Sequence, residues 1–203
     1  MIKSNIIQSA KELFMKYGVK SVSMDDIARH LGISKKTLYA ELSNKSELVV
    51  EAIKLFIKEE KKAIGEITGK AENALQEITG IAAFVLQALR KMKPTLSYDL
   101  KKYHPRAWAI IQNDHLQQIE KTIANNLKRG IEEGYYRDDI DVILQARIYV
   151  GLAKLLAEEE IIAYGKYDKA YLYKHMMTYH LNGIMNNEGR KAINNYLNKE
   201  NLA

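Results

Sequence analysis

Ala28, Gly32 and Leu38 leave this chain few choices of local fold: a small residue four positions before a glycine, and a leucine six positions after it. Two short helices cross closely only where the contact residue is small. A glycine between them takes the left-handed backbone angle that ends the first helix without a steric penalty. The surrounding residues agree. Ser23 followed by Asp26 predicts a capping-box-like start to a helix over Met24 to Leu31, with Ile27, Ala28 and Leu31 facing inward. Ile33 fills the turn, and Ser34 caps a third helix from Lys35 to about Leu42, whose Leu38 and Leu42 share one face. Upstream, Ile6, Ala10, Leu13, Phe14 and Tyr17 recur at three- and four-residue steps on a helix ending at Gly18. Together these make a helix-turn-helix behind a supporting first helix.

The run from Ile6 to about Ala52 resembles the tetracycline-repressor-like (TetR) regulators. The resemblance is carried by Ile7, Ala10, Leu13-Phe14 and Gly18, then Ser23, Asp26-Ile27-Ala28, Gly32-Ile33-Ser34-Lys35 and Thr37-Leu38-Tyr39. Lys45 and Glu47-Leu48, opening a fourth helix, complete it. It implies that Thr37, Tyr39 and Lys45 contact DNA phosphates while Lys35, Lys36 and Ala40 face the bases. Helical geometry supports the same division. Measured from the inward Leu38, Lys36 and Ala40 lie on the far side, Thr37 and Tyr39 flank them, and Ser34 and Lys35 stand at the helix start. A lysine can donate to guanine O6 and N7, and a tyrosine hydroxyl to a phosphate oxygen. Lys45 stands where backbone N–H groups and the helix dipole already favour an anion. The family usually continues after Thr-Leu-Tyr with aromatic or histidine residues, whereas here Ala40-Glu41-Leu42 follows. Glu41 is expected to face solvent or to pair with a neighbour such as Lys45.

Charge is placed as such a head requires. Of the net +6, residues 1 to 45 hold +4, eight Lys/Arg against four acids, leaving 23 basic and 21 acidic residues in the other 158. That suits a polyanion-binding head on a nearly neutral body. With 203 residues, 47% hydrophobic, the chain has room for a second, larger helical region. No apolar run reaches the roughly 18 residues of a membrane span and no secretion signal is evident, so a cytoplasmic protein with no membrane partner is expected. Without cysteine there is no disulfide, thiol catalysis or thiolate metal site.

The body reads as helix throughout, giving an all-α fold: a helix-turn-helix DNA-binding domain over residues 1–48, with its motif at about 24–43, and a helical effector-binding and dimerisation domain over 49–203. A fourth helix is expected to about Gly65, a fifth from Ala71 to Lys93 ahead of Pro94, and a short one over Leu96 to Tyr103. A long helix then opens at Pro105 and ends at Gly134. The segment from Gly130 to Asp139 is also similar to the body of some TetR members. The last two long helices, about Val142 to Ala163 and Asp168 to Met185, are apolar on more than one side and call for a second cover, a second copy of the chain. Val150, Gly151, Met177 and Gly183 are the candidate dimer-interface residues. As the resemblance implies an effector, Phe84, Tyr98, Tyr103, Trp108, Ile111, His115 and Tyr149 are candidates for the walls of a pocket for a small apolar or aromatic molecule, against the alternative of an ordinary aromatic core.

Enzyme constellations are missing. The stretch Gly65 to Ala71 is one residue short of a phosphate loop, ends in alanine where a hydroxyl must reach magnesium, and follows no strand. His175 and His180 are five apart, about 140° round a helix, unlike paired zinc ligands. No cofactor, metal or catalytic residue is expected. The reading that results is a sequence-specific regulator: a ligand-responsive repressor binding double-stranded DNA as a homodimer on a palindromic operator. Its rival is a helical interaction or adaptor protein that keeps the fold without specific DNA binding, and a helical enzyme stands third.

Overall fold

The computed structural model describes residues 2–157 and 167–197, and these are helical, with no strand and a single isolated bridge between Tyr136 and Met185. The elements are α1 (Ile2–Tyr17), α2 (Met24–Leu31), α3 (Lys35–Glu41), α4 (Lys45–Lys70), α5 (Ala74–Lys91), α6 (Leu96–Tyr103) and α7 (Pro105–Ile110). A π-helical turn (Ile111–His115) leads into α8 (Leu116–Glu132), followed by α9 (Val142–Ala157), α10 (Lys169–Ile184), α11 (Asn187–Ala192) and α12 (Asn194–Leu197). None is long and apolar enough to cross a membrane.

Capping chemistry sets most of these bounds. The Ser23 hydroxyl accepts from the Asp26 N–H while the Asp26 carboxylate accepts from the Ser23 N–H at 2.9 Å, and α2 ends at Gly32 with φ +65°. α4 runs five residues beyond Gly65 to Lys70, because a glycine in an exposed helix costs only about 1 kcal/mol and does not stop it. α5 starts at Ala74 and not Ala71. There the Glu133 carboxylate accepts the Ala74 N–H at 2.7 Å and the Asn73 side chain accepts the Gln76 N–H at 2.9 Å. It stops at Lys91, short of Lys93, since the residue before Pro94 is steered away from helical angles. The long helix expected from Pro105 is broken by the π-helical turn. Residues 158–163, expected to finish α9, lie outside the described residues.

The chain divides into two compact units, residues 1–62 with 91–115, and residues 63–90 with 116–203. The division does not fall at residue 48. In the first unit Leu48, Val49, Ala52 and Ile53 of α4 close the core begun by Ile6, Phe14 and Leu38, and Leu96, Leu100 and Ala107 join it. Three short helices bury too little apolar surface alone, so the first turns of α4 with α6 and α7 complete the head. In the second unit α5, α8, α9 and α10 share a core around Leu75, Ile78, Leu127, Tyr136, Tyr173 and Ile184. Its buried charge is answered: Glu77 accepts from Arg129 Nη1 at 3.3 Å and from Thr68 at 3.0 Å. Arg129 also binds Glu133 at 2.7 Å and the Ala71 carbonyl at 3.0 Å.

Candidate nucleic-acid interface

The recognition face is built from α3 and the starts of α2 and α4. Leu38 and Leu42 are fully buried, which fixes the rotation of α3. The Ser34 hydroxyl accepts the Thr37 N–H at 3.0 Å and lies 2.8 Å from the Thr37 hydroxyl, so these two side chains secure the helix start and each other. Lys36, Tyr39 and Ala40 are exposed. Lys35 is also exposed, with its ammonium 2.5 Å from the Asp25 carboxylate at the start of α2.

Lys45, at the start of α4, has a more elaborate setting. The Asn44 side chain caps the helix by accepting the Glu47 N–H at 2.9 Å, and the Glu47 carboxylate accepts the Ser43 N–H at 2.9 Å. Burial pulls the pKa of Lys45 down, opposed by the charges of Asp99 and Asp26. Hydrogen bonds from the Ser23 side chain and backbone hold Asp26 below the usual carboxylate range. His104 is held below the usual histidine range by burial and then by the Lys45 charge, and its Nδ1 lies 3.4 Å from the Ser46 hydroxyl. Glu41 is half-buried and makes no ion pair among the described residues, so the carboxylates that Lys45 feels are Asp26 and Asp99. Asp99 and His104 were invisible to a motif search. The available signal was an acid three residues after Leu96, on the inward face of α6.

The pocket candidates are divided between the two units. Tyr98 and Tyr103 are exposed, Trp108 and Ile111 pack partly against the first core, and His115 lies 3.0 Å from Glu60 and edge-on to Phe56. Phe84 and Tyr149 belong to the second unit, where Tyr149 is buried with its hydroxyl 3.3 Å from that of Tyr173. The second unit does hold a cavity of about 320 Å3, walled by Met177, Leu181, Met185, Ile193 and Leu197, with Thr178 and Asn182 among its polar groups. None of the seven candidates lines it. Aromatic residues on amphipathic helices face either core or solvent, and spacing does not say which helices converge.

Two of the four interface candidates are also displaced. Val150 and Met177, 7% and 5% exposed, are buried within the chain's own second unit. On α9 the inward face is Ala146, Tyr149 and Val150, while Ile143, Leu144, Ile148, Gly151 and Leu155 face outward. Gly151 and Gly183 are exposed, and a side chain at either would meet open space.

Residues 6–52 match the family model described as bacterial regulatory proteins, tetR family. The chain is 29% identical over 159 residues to an uncharacterised HTH-type transcriptional regulator of Bacillus subtilis, YvaF, spanning 78% of this chain and 77% of that one. It is 24% identical over 161 residues to the HTH-type transcriptional repressor KstR2 of Mycobacterium tuberculosis, spanning 71% and 74% of the two chains. A transcriptional regulator from Saccharomonospora viridis, solved in complex with choline, shares the fold with a TM-score of 0.69 at 18% identity, over 91% of this chain and 98% of that one.

Proposed function

We propose, from the premise that the chain belongs to the tetR family of bacterial regulatory proteins and is a DNA-binding transcriptional regulator, that it is a homodimeric, ligand-responsive repressor of a near-palindromic operator. The observation that carries the reading is the α3 surface. A helix locked by Leu38, Leu42 and the Ser34 cap turns Lys36, Tyr39 and Ala40 outward as one strip, sized for a major groove. Lys36 reads a base edge, Tyr39 and Lys45 hold phosphates, and Lys35 reaches the duplex from its pairing with Asp25. Ser34 and Thr37 serve mainly by fixing the helix start.

The dimer forms through the outward face of α9 and the neighbouring face of α10, with Gly151 and Gly183 letting the partner approach closely. A cytoplasmic setting follows from the DNA target. The effector is a small apolar or aromatic molecule seated in the second unit's cavity against Met177, Leu181 and Ile193, with Thr178 and Asn182 as polar tips. A ligand releases DNA only by binding the non-binding conformation better, at about 1.4 kcal/mol for each tenfold shift. Helix α4, whose residues belong to both units, carries the change to the head.

Binding-site selection from random duplex DNA, followed by footprinting, tests the reading. Two related half-sites about one helical turn apart are expected, with affinity falling by orders of magnitude between roughly 50 and 200 mM salt. Weak binding without sequence preference would favour the adaptor reading instead.

A further inference from the structure

The first unit carries a second set of cations that α3 does not use. Lys20, in the turn between α1 and α2, and Lys102, in the last turn of α6, both stand over the ring of Tyr103, each 5.5 Å from its centroid. Lys102 also lies 5.0 Å over the Tyr98 ring and donates to the Tyr98 hydroxyl at 2.6 Å. Neither ammonium has an ion pair among the described residues. The nearby carboxylate of Asp99 is buried, accepts the backbone N–H of Lys20 at 3.0 Å and forms no salt bridge with either ammonium. Two like charges drawn to one aromatic ring raise the local positive potential, and an anion bound beside them would relieve it.

The cluster is held in shape and adjoins the DNA-facing end of α4. Gly18, at φ +85°, lets the turn lie against α6, since a side chain there would come 3.2 Å from the Asp99 carboxylate. His104, which follows Tyr103 directly, reaches Ser46 beside Lys45. Ser23, which starts α2, lies three residues after Lys20.

We infer that Lys20, Tyr98, Lys102 and Tyr103 form a preformed cradle for duplex phosphates that adjoin the one held by Lys45 and lie outside the groove read by α3. The inference rests on the reading that α3 enters the major groove. Ammonium and phenol groups are suitable donors to phosphate oxygens, and such contacts add affinity without sequence preference. A duplex offers one negative charge per roughly 1.7 Å of axis, so a phosphate-binding surface extended beyond Lys45 meets further charges at once.

The test uses the full chain and a duplex carrying the selected operator with long flanks. Wild type, the Lys20→Gln/Lys102→Gln double variant and Lys36→Ala are compared by affinity against salt and by phosphate-ethylation interference. The double variant is expected to keep its sequence preference, to lose interference at phosphates beside those assigned to Lys45, and to flatten the log–log salt slope by about 0.9 for each phosphate it no longer neutralises. Lys102→Arg in the Lys20→Gln background should recover part of that slope, which separates loss of charge from loss of fold. A double variant with wild-type slope and interference pattern overturns the cradle while leaving the α3 reading intact. A wild-type chain that binds no duplex specifically overturns both.

Discussion

His180 is 2% exposed, edge-on to Tyr149 with ring centroids 5.0 Å apart, and its Nε2 meets no hydrogen-bond partner among the described residues. Burial pushes its pKa down from 6.5 to about 4. The unfolded chain therefore takes up this proton first as pH falls, so stability is fully present above pH 6.5 and drains away as pH drops towards 4. Between pH 7 and 5 the loss from this one group is about 2 kcal/mol. Urea titrations of wild type and His180→Gln at the two pH values should show the variant losing less; equal losses would mean that the imidazole is not held neutral. On the recognition face, Lys36→Ala should alter sequence preference by about 1 to 3 kcal/mol at one base position. Lys45→Ala should weaken all sequences alike and flatten the salt slope. Binding-site selection on both variants checks this, and two wild-type profiles would refute the contact assignment. Lys36, Tyr39 and Ala40 were legible in the sequence because their places follow from Leu38 alone. The setting of Lys45 was not, because Asp99 and His104 approach it from more than fifty residues away.

At the scale of elements, legibility followed the strength of the local chemistry. α2 and α6 fall on Met24–Leu31 and Leu96–Tyr103 as the sequence predicts, the first bounded by a capping box and a left-handed glycine. α4 was under-read because Gly65 and Gly69 look like breaks. Both are exposed with open space where a side chain would go, and neither has a positive φ. Gly65→Ala and Gly69→Ala should therefore each stabilise the protein by about 0.5 to 1 kcal/mol. Gly130 is the opposite case. A side chain there would meet the Tyr136 ring at 2.1 Å, and Tyr136 is the buried donor to Asn126 at 3.0 Å. Gly130→Ala should destabilise by about 3 kcal/mol, since ring and hydrogen bond must both move. Denaturant midpoints for the three variants decide it, and a neutral Gly130→Ala would show that the ring has room to retreat. The π-helical turn had no such signature. Nothing in Ile111 to His115 marks it, and no physical reason for it is evident in its own residues.

At the scale of the molecule, the proposed homodimer rests on the outward face of α9 and α10. Leu144, Ile148 and Leu155 repeat along α9 at four- and seven-residue steps and are 57%, 43% and 46% exposed, while Tyr171 and Tyr179 on α10 are 46% and 71% exposed. A helix apolar on a face that its own chain leaves open is normally covered by something else. Two bare glycines, Gly151 and Gly183, lie exposed on the same two helices, where each costs about 1 kcal/mol against alanine unless close approach repays it. In the proposed homodimer a symmetric partner would answer both features with one surface, and its two recognition helices would have to match the roughly 34 Å separation of successive major-groove faces. The substitutions that test this are outward ones. Ile148→Asp with Tyr179→Asp should turn a wild-type dimer at micromolar concentration into a folded monomer by sedimentation, with unchanged helical content and only half-site affinity for the operator. Val150→Asp should instead unfold the second unit, because its side chain is buried within the chain itself. A wild-type monomer, or an outward double variant that remains a dimer, would place the interface elsewhere and would remove the geometric reason for a palindromic target.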